Sequence, residues 1–163
     1  MLKIGITGHR KFTNATEVRQ QIAEFLQEQT KTAEAILAIS PLAVGADTIF
    51  AEEALKAGIR LRVLLPFALA EYGQDFAPNE LQHLNALIAQ AGGGFEVVTT
   101  LADNTPDTRN EAYMAIGRKI TEVSDILIAV WDGKTAHGKG GTADVVAYAQ
   151  AQGKRVVVIE AIR

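Results

Sequence analysis

Ile126-Leu127-Ile128-Ala129-Val130-Trp131, running on through Asp132-Gly133-Lys134-Thr135-Ala136-His137-Gly138-Lys139-Gly140-Gly141-Thr142, decides the fold class. Six apolar residues without alternation suit a strand covered on both faces, as in a parallel sheet. The glycine-rich stretch opens into a helical segment that closes before Gly153, and a second apolar run follows at residues 156–160. Strand, helix and strand in that order form a layered α/β unit.

The same alternation extends in both directions. Strands are predicted at residues 2–7, 35–40, 61–65, 95–98, 126–131 and 156–160, the fourth short and at an edge. Between them, Asn14-Ala15-Thr16-Glu17 has capping-box spacing ahead of an apolar stripe at Val18, Ile22, Phe25 and Leu26. A second helix is expected over 47–57, stopped by Gly58. Pro78 suits the first turn of a third, with Leu81, Leu84, Leu87 and Ile88 inward before Gly92-Gly93-Gly94. Thr108-Arg109-Asn110-Glu111 repeats the capping-box pattern ahead of Tyr113, Ile116, Ile120 and Val123. The last helix opens near Gly141-Thr142. Residues 66–77 and 132–140 read as mobile loops.

Composition bounds the rest. The 163 residues, 48% of them hydrophobic, suffice for one domain with its own core. The absence of cysteine removes disulfides and thiol chemistry. No apolar run reaches the ~20 residues of a membrane span, and Met1 leads directly into strand residues, so the cytoplasm is the expected location. With 16 Lys+Arg against 19 Asp+Glu the net charge is −3, and nucleic acid is not an expected partner, since a coating protein needs a basic face. The only cations suggesting one are Lys31, Lys56, Arg60, Arg62 and scattered others.

In an open parallel sheet, ligands sit beyond the carboxyl ends of the strands, where helix N-termini present unpaired N–H groups. Three strand ends are informative. After the first come Gly8, His9 and Arg10, a small residue beside two groups able to bind phosphate or a carboxylate. After the second come Gly45, Ala46 and Asp47; Asp47 reads as a helix N-cap, compatible with accepting a bond from a ribose hydroxyl or from Arg10. After the fifth lies the glycine-rich loop ending in Gly140, Gly141 and Thr142, with Lys134, His137 and Lys139 as further cations. It approaches a Walker A loop but has Gly140 where the Mg²⁺-binding hydroxyl belongs, and Gly5-Ile6-Thr7-Gly8 does not continue into a dinucleotide fingerprint. Arg109 and Asn110 are a fourth element, phosphate and base or sugar contacts in one reading, solvated helix-start residues in the other. Trp131 reads as packing and His83 as a surface residue. Three separated histidines without a His-x3-His pair give no metal site, and no Gly-x-Ser-x-Gly turn supports a serine hydrolase.

Gly8-His9-Arg10, Gly45-Ala46-Asp47, Arg109-Asn110 and Gly140-Gly141-Thr142, in this order at strand ends across nearly the whole chain, resemble the SLOG superfamily. That group of Rossmann-like domains includes the DprA nucleotide-binding domain, the YpsA-type proteins, the molybdenum-cofactor carriers and the LOG phosphoribohydrolases. The resemblance implies a nucleotide or nucleotide-derived ligand across the strand ends, its phosphate against the Gly-Gly-Thr helix. No other cofactor is implied. Phosphoribohydrolases resemble Pro-Gly-Gly-x-Gly-Thr-x-x-Glu, whereas here the Pro is missing and Val145 occupies the Glu position. Asp144, one residue earlier, is rotated by ~100° on a helix, and positional errors of about 1 Å already cost large factors in rate. The arginine that branch uses matches either Arg109 or Arg118.

The expected architecture is a single three-layer α/β/α Rossmann-like domain, its mostly parallel sheet of about six strands having the first strand central beside the fifth. The Gly8 and Gly140 loops form opposite walls of one cleft. The expected function is nucleotide binding at Gly8, His9, Arg10, Gly45, Ala46, Asp47, Arg109, Asn110, Gly140, Gly141 and Thr142. Residues 132–140 act as a lid, and residues 66–77, through Phe67 and Tyr72, cover the base. The alternative is a nucleoside-monophosphate N-glycosidic hydrolase or transferase using Asp144 or Glu111. Exposed apolar positions are compatible with a homo-oligomer.

Overall fold

The computed structural model describes residues 1–100, 103, 105–135 and 141–163. Strands β1 (Leu2–Gly8), β2 (Ile36–Ser40), β3 (Arg60–Leu65), β4 (Glu96–Val97), β5 (Ile126–Trp131) and β6 (Arg155–Glu160) alternate with helices. These are α1 (Ala15–Thr30), α2 (Ala46–Lys56), α3 (Leu69–Tyr72), α4 (Pro78–Gln90), α5 (Pro106–Val123) and α6 (Thr142–Ala151). The sheet runs β4-β3-β2-β1-β5-β6 and every pairing is parallel. As the apolar runs require, β1 is central against β5, and the two-residue β4 is an edge.

Alternation along each strand builds two cores. Ile4, Ile6, Ile126, Ile128 and Val130 join Val18, Ile22 and Leu26 of α1, Phe50 of α2 and Leu84 of α4 in one. Leu127, Ile39 and Leu64 face the other way, against Ile116 and Ile120 of α5 and Val145 and Ala149 of α6. Three layers result because period-two side chains on continuously apolar strands demand cover on both faces.

The structure corrects three local expectations. The Asn14 side chain forms no cap bond to α1. Its Nδ2 donates to the Glu160 carbonyl at 2.9 Å and its Oδ1 accepts from Ile162 N–H at 2.9 Å, so a long-range tie to the end of β6 outcompetes the local cap. Helix α5 starts two residues before Thr108, at Pro106, with the Thr105 hydroxyl accepting from Thr108 N–H; proline at the first position fixes this start. Residues 66–77 are not a free loop. They form α3 and a 3₁₀ turn at Gly73–Asp75, with Phe67 and Tyr72 fully buried and the Tyr72 hydroxyl donating to the Pro41 carbonyl at 3.0 Å. Phe67 does not line the cleft at the strand ends, whereas Tyr72 borders it with its ring buried. Of the expected lid, residues 136–140, including Gly140, His137 and Lys139, lie outside the described residues.

Candidate functional site

The strand order reverses its direction of growth between β1 and β5, and in such sheets the crevice at that point is where ligands bind. A cleft of about 700 Å³ lies there. One wall is the β1 end. His9 N–H donates to the Val130 carbonyl at 3.1 Å and the His9 carbonyl accepts from Ala46 N–H at 3.2 Å, pinning the turn between β5 and α2. Glycine is required at both neighbours of this turn. A Cβ on Gly8 would lie 2.5 Å from Ala46 Cβ and 2.8 Å from Val130 Cβ; one on Gly45, whose φ is +93°, would lie 2.4 Å from the Arg10 carbonyl oxygen. These glycines admit neighbouring protein.

The opposite wall is the start of α6, where Gly141, Thr142 and Ala143 line the cleft. Gly141 is the N-cap and contributes no side chain, so the start of a ten-residue helix, the positive end of its dipole, borders the cleft. Arg10 extends between the walls. Its guanidinium lies 5.3 Å from the Tyr113 ring centre, and among the described residues no carboxylate pairs with it within 4 Å.

Arg109 is engaged by the protein. Its Nη2 lies 2.5 Å from Asp75 Oδ2 and its guanidinium stacks 4.6 Å from the Phe67 ring centre. The Tyr113 hydroxyl donates to the same Asp75 carboxylate. The 3₁₀ turn thereby anchors two of the α5 side chains that line the cleft.

Asp47 is not the expected N-cap. It sits in the first turn of α2 behind Gly45, 6% exposed, and its Oδ2 accepts from Ala43 N–H at 3.2 Å. The preceding Leu42 is held at φ 60°, its amide bonded to Ser40 Oγ at 3.1 Å; a left-handed non-glycine residue is sustained only by such surroundings. Burial pushes the Asp47 carboxyl up to about 7, against the pull of the Ala43 amide and the Arg10 charge. His9 Nε2 accepts from Asp132 N–H at 3.1 Å, and Arg163 approaches its Nδ1 at 3.4 Å. Burial, the largest influence, holds the imidazole pKa below its usual 6.5; Arg163 acts in the same direction and Asp132 against it.

Of the sequence-derived site residues, Gly8, His9, Arg10, Asp47, Arg109, Asn110, Gly141 and Thr142 line this cleft. Gly45 and Ala46 shape it from behind. Glu111 and Asp144, the candidate catalytic carboxylates, do not line it. The sequence reading missed Tyr113, taken as core; Asp75, in a stretch read as loop; and Arg163, far from any motif. Lys134, seen as a cation, lines the cleft as well. Among the described residues no group of three acidic or histidine side chains is placed to hold a metal, and no helix is long and apolar enough to cross a membrane.

A family model described as DNA recombination-mediator protein A matches residues 1–162. DNA processing protein A (DprA) from Streptococcus pneumoniae superposes with a TM-score of 0.65 at 19% identity, over 96% of this chain and 50% of that one. The Helicobacter pylori protein of that name, described for its single-stranded DNA binding mode, gives 0.66 at 22% identity, over 96% of this chain and 64% of that one. The structural-genomics target TM1055 gives 0.56 at 17%, over 96% and 72%. The chain thus spans a half to two thirds of the length of the two DNA processing proteins. No curated protein matches the sequence significantly. The SLOG assignment and the Rossmann-like fold stand on these findings.

They overturn the expectation that nucleic acid is not a partner. That expectation rested on net charge, which averages over the surface, whereas anion binding depends on the local field. The scattered cations are largely committed elsewhere: Lys31 to Glu28, Lys56 to Glu53 and Arg62 to Glu96. Arg10, Lys134, Arg163 and the start of α6 instead line one cleft.

Proposed function

The chain belongs to the DNA recombination-mediator protein A family, and from that premise we propose that its cleft binds a nucleotide unit of single-stranded DNA. One observation carries the reading: Arg10 and the first turn of α6, more than 130 residues apart in sequence, line the same cleft. A phosphate against the amides of Thr142 and Ala143 meets the helix dipole, and the Arg10 guanidinium completes its neutralisation with charge-assisted bonds. Lys134 adds a second cation, and the exposed Asn110 offers an amide to a sugar or base edge. Arg109 supports the floor through Asp75 instead of contacting phosphate.

The test is fluorescence anisotropy of a labelled oligothymidylate with wild type and Arg10→Gln. Losing a charge-assisted contact weakens binding by at least about tenfold, and the salt dependence becomes shallower by about one phosphate contact. Equal affinity and equal salt slope in the two proteins, or no binding by wild type, refutes the proposal.

A further inference from the structure

The turn after β5 is a closed unit. The Trp131 indole N–H donates to the Lys134 carbonyl at 2.9 Å, the Lys134 amide donates to Asp132 Oδ1 at 3.0 Å, and Gly133 takes φ +81° between them. This unit carries Lys134 to the cleft. His9, at the β1 wall, lies 3.1 Å from Asp132 N–H, and Arg163, after β6, lies more loosely at 3.8 Å from Asp132 Oδ2. His9 directly follows β1 and both of its ring nitrogens have neighbours, so the ring is placed to hold protein and not phosphate.

We propose that His9 is a positioning residue whose unprotonated Nε2 latches the 131–134 turn to the end of β1, fixing Lys134 against the cleft in which Arg10 lies. A ring nitrogen accepts an amide bond only while it carries no proton. Protonation turns Nε2 into a donor, and Asp132 Oδ1 lies 3.2 Å from it, the oxygen that closes the turn through the Lys134 amide. The charged groups facing the ring are Asp132 from the β5 end and Arg163 from the segment after β6, while Arg10, next in the chain, lies over Tyr113. Burial and Arg163 favour the neutral ring and Asp132 the charged one, with the net direction toward the neutral ring; the Asp132 N–H facing Nε2 selects the tautomer in which that nitrogen is the acceptor. The latch is a property of the free protein; only its effect on affinity rests on the single-stranded DNA reading.

NMR of wild type, His9→Ala and His9→Gln tests it. At pH 7.5 the wild-type imidazole shows an unprotonated Nε2 in its ¹⁵N shifts. His9→Ala lowers the protection factor of the Asp132 amide about tenfold, the size of one lost hydrogen bond, and weakens oligothymidylate binding several-fold. His9→Gln, whose amide oxygen substitutes as acceptor, restores both. As wild type is titrated through the imidazole pKa, Asp132 protection falls; in His9→Gln it does not. A protonated Nε2 at pH 7.5, or unchanged Asp132 protection in a folded His9→Ala, overturns the proposal, and His9→Gln keeps the pH arm decisive should His9→Ala fail to fold. If wild type binds no oligonucleotide, the DNA reading fails while the amide and ¹⁵N measurements still decide the latch.

Discussion

Replacing Asp47 with asparagine stabilises the fold at alkaline pH and leaves it nearly unchanged in acid. A carboxyl held at about 7 against its usual 3.8 corresponds to about 4 kcal/mol of folding free energy when fully ionised. The sign follows from proton binding. Between these values the native state keeps its proton and the unfolded chain releases it, so stability is greatest below pH 3.8 and is lost as pH rises through about 7. Asparagine keeps an oxygen for the Ala43 amide and carries no ionisable group. Urea unfolding followed by circular dichroism at pH 5, 6, 7 and 8, at constant ionic strength, gives the difference between the two proteins at each pH. Taking that difference removes the titration of every other group. Asp47→Asn is expected to gain on wild type by about 2–4 kcal/mol between pH 5 and 8. A difference that stays constant with pH refutes the claim that Asp47 is a desolvated carboxyl that Arg10 and the Ala43 amide only partly compensate.

Gly45→Ala forces a Cβ to within 2.4 Å of the Arg10 carbonyl at φ +93°, and thermal unfolding should show a loss of about 2–4 kcal/mol. Thr105→Ala removes the hydroxyl that caps α5; about 1 kcal/mol is lost, which lowers Tm by about 2–4 °C in a chain of this size. Arg109→Ala strips Asp75 of its cation and Phe67 of its stacking partner, costing about 1–3 kcal/mol in urea unfolding. Arg109→Lys, which retains charge without a planar guanidinium, recovers only part of that loss.

The order of layers was written in the sequence because each strand carries its own instruction: a continuously apolar run such as 126–131 demands helices on both faces wherever it is placed. The Gly45 turn, the start of α6 at Gly141-Thr142 and the candidate status of Arg10 were legible for a similar reason, since turn and cap chemistry act over a few residues. Tertiary structure decided which candidates pair with other side chains of the protein. Arg10 and Arg109 are both arginines beside a strand end or helix start, yet Asp75, from a stretch with no strong pattern of its own, engages one and leaves the other over an aromatic face. Asn14 and Thr108 fit capping boxes, but a tie to residues about 150 positions away in one case and a proline two residues upstream in the other redirected them. His9 kept its place by the cleft, while Asp132 and Arg163, its neighbours there, arrive from elements that only the folded sheet brings to it. Local periodicity and backbone preference are carried by neighbours along the chain, so the sequence alone determined the α/β/α layers. Charge pairing and burial depend on partners brought together by folding, so only the tertiary structure decided the electrostatics of the site.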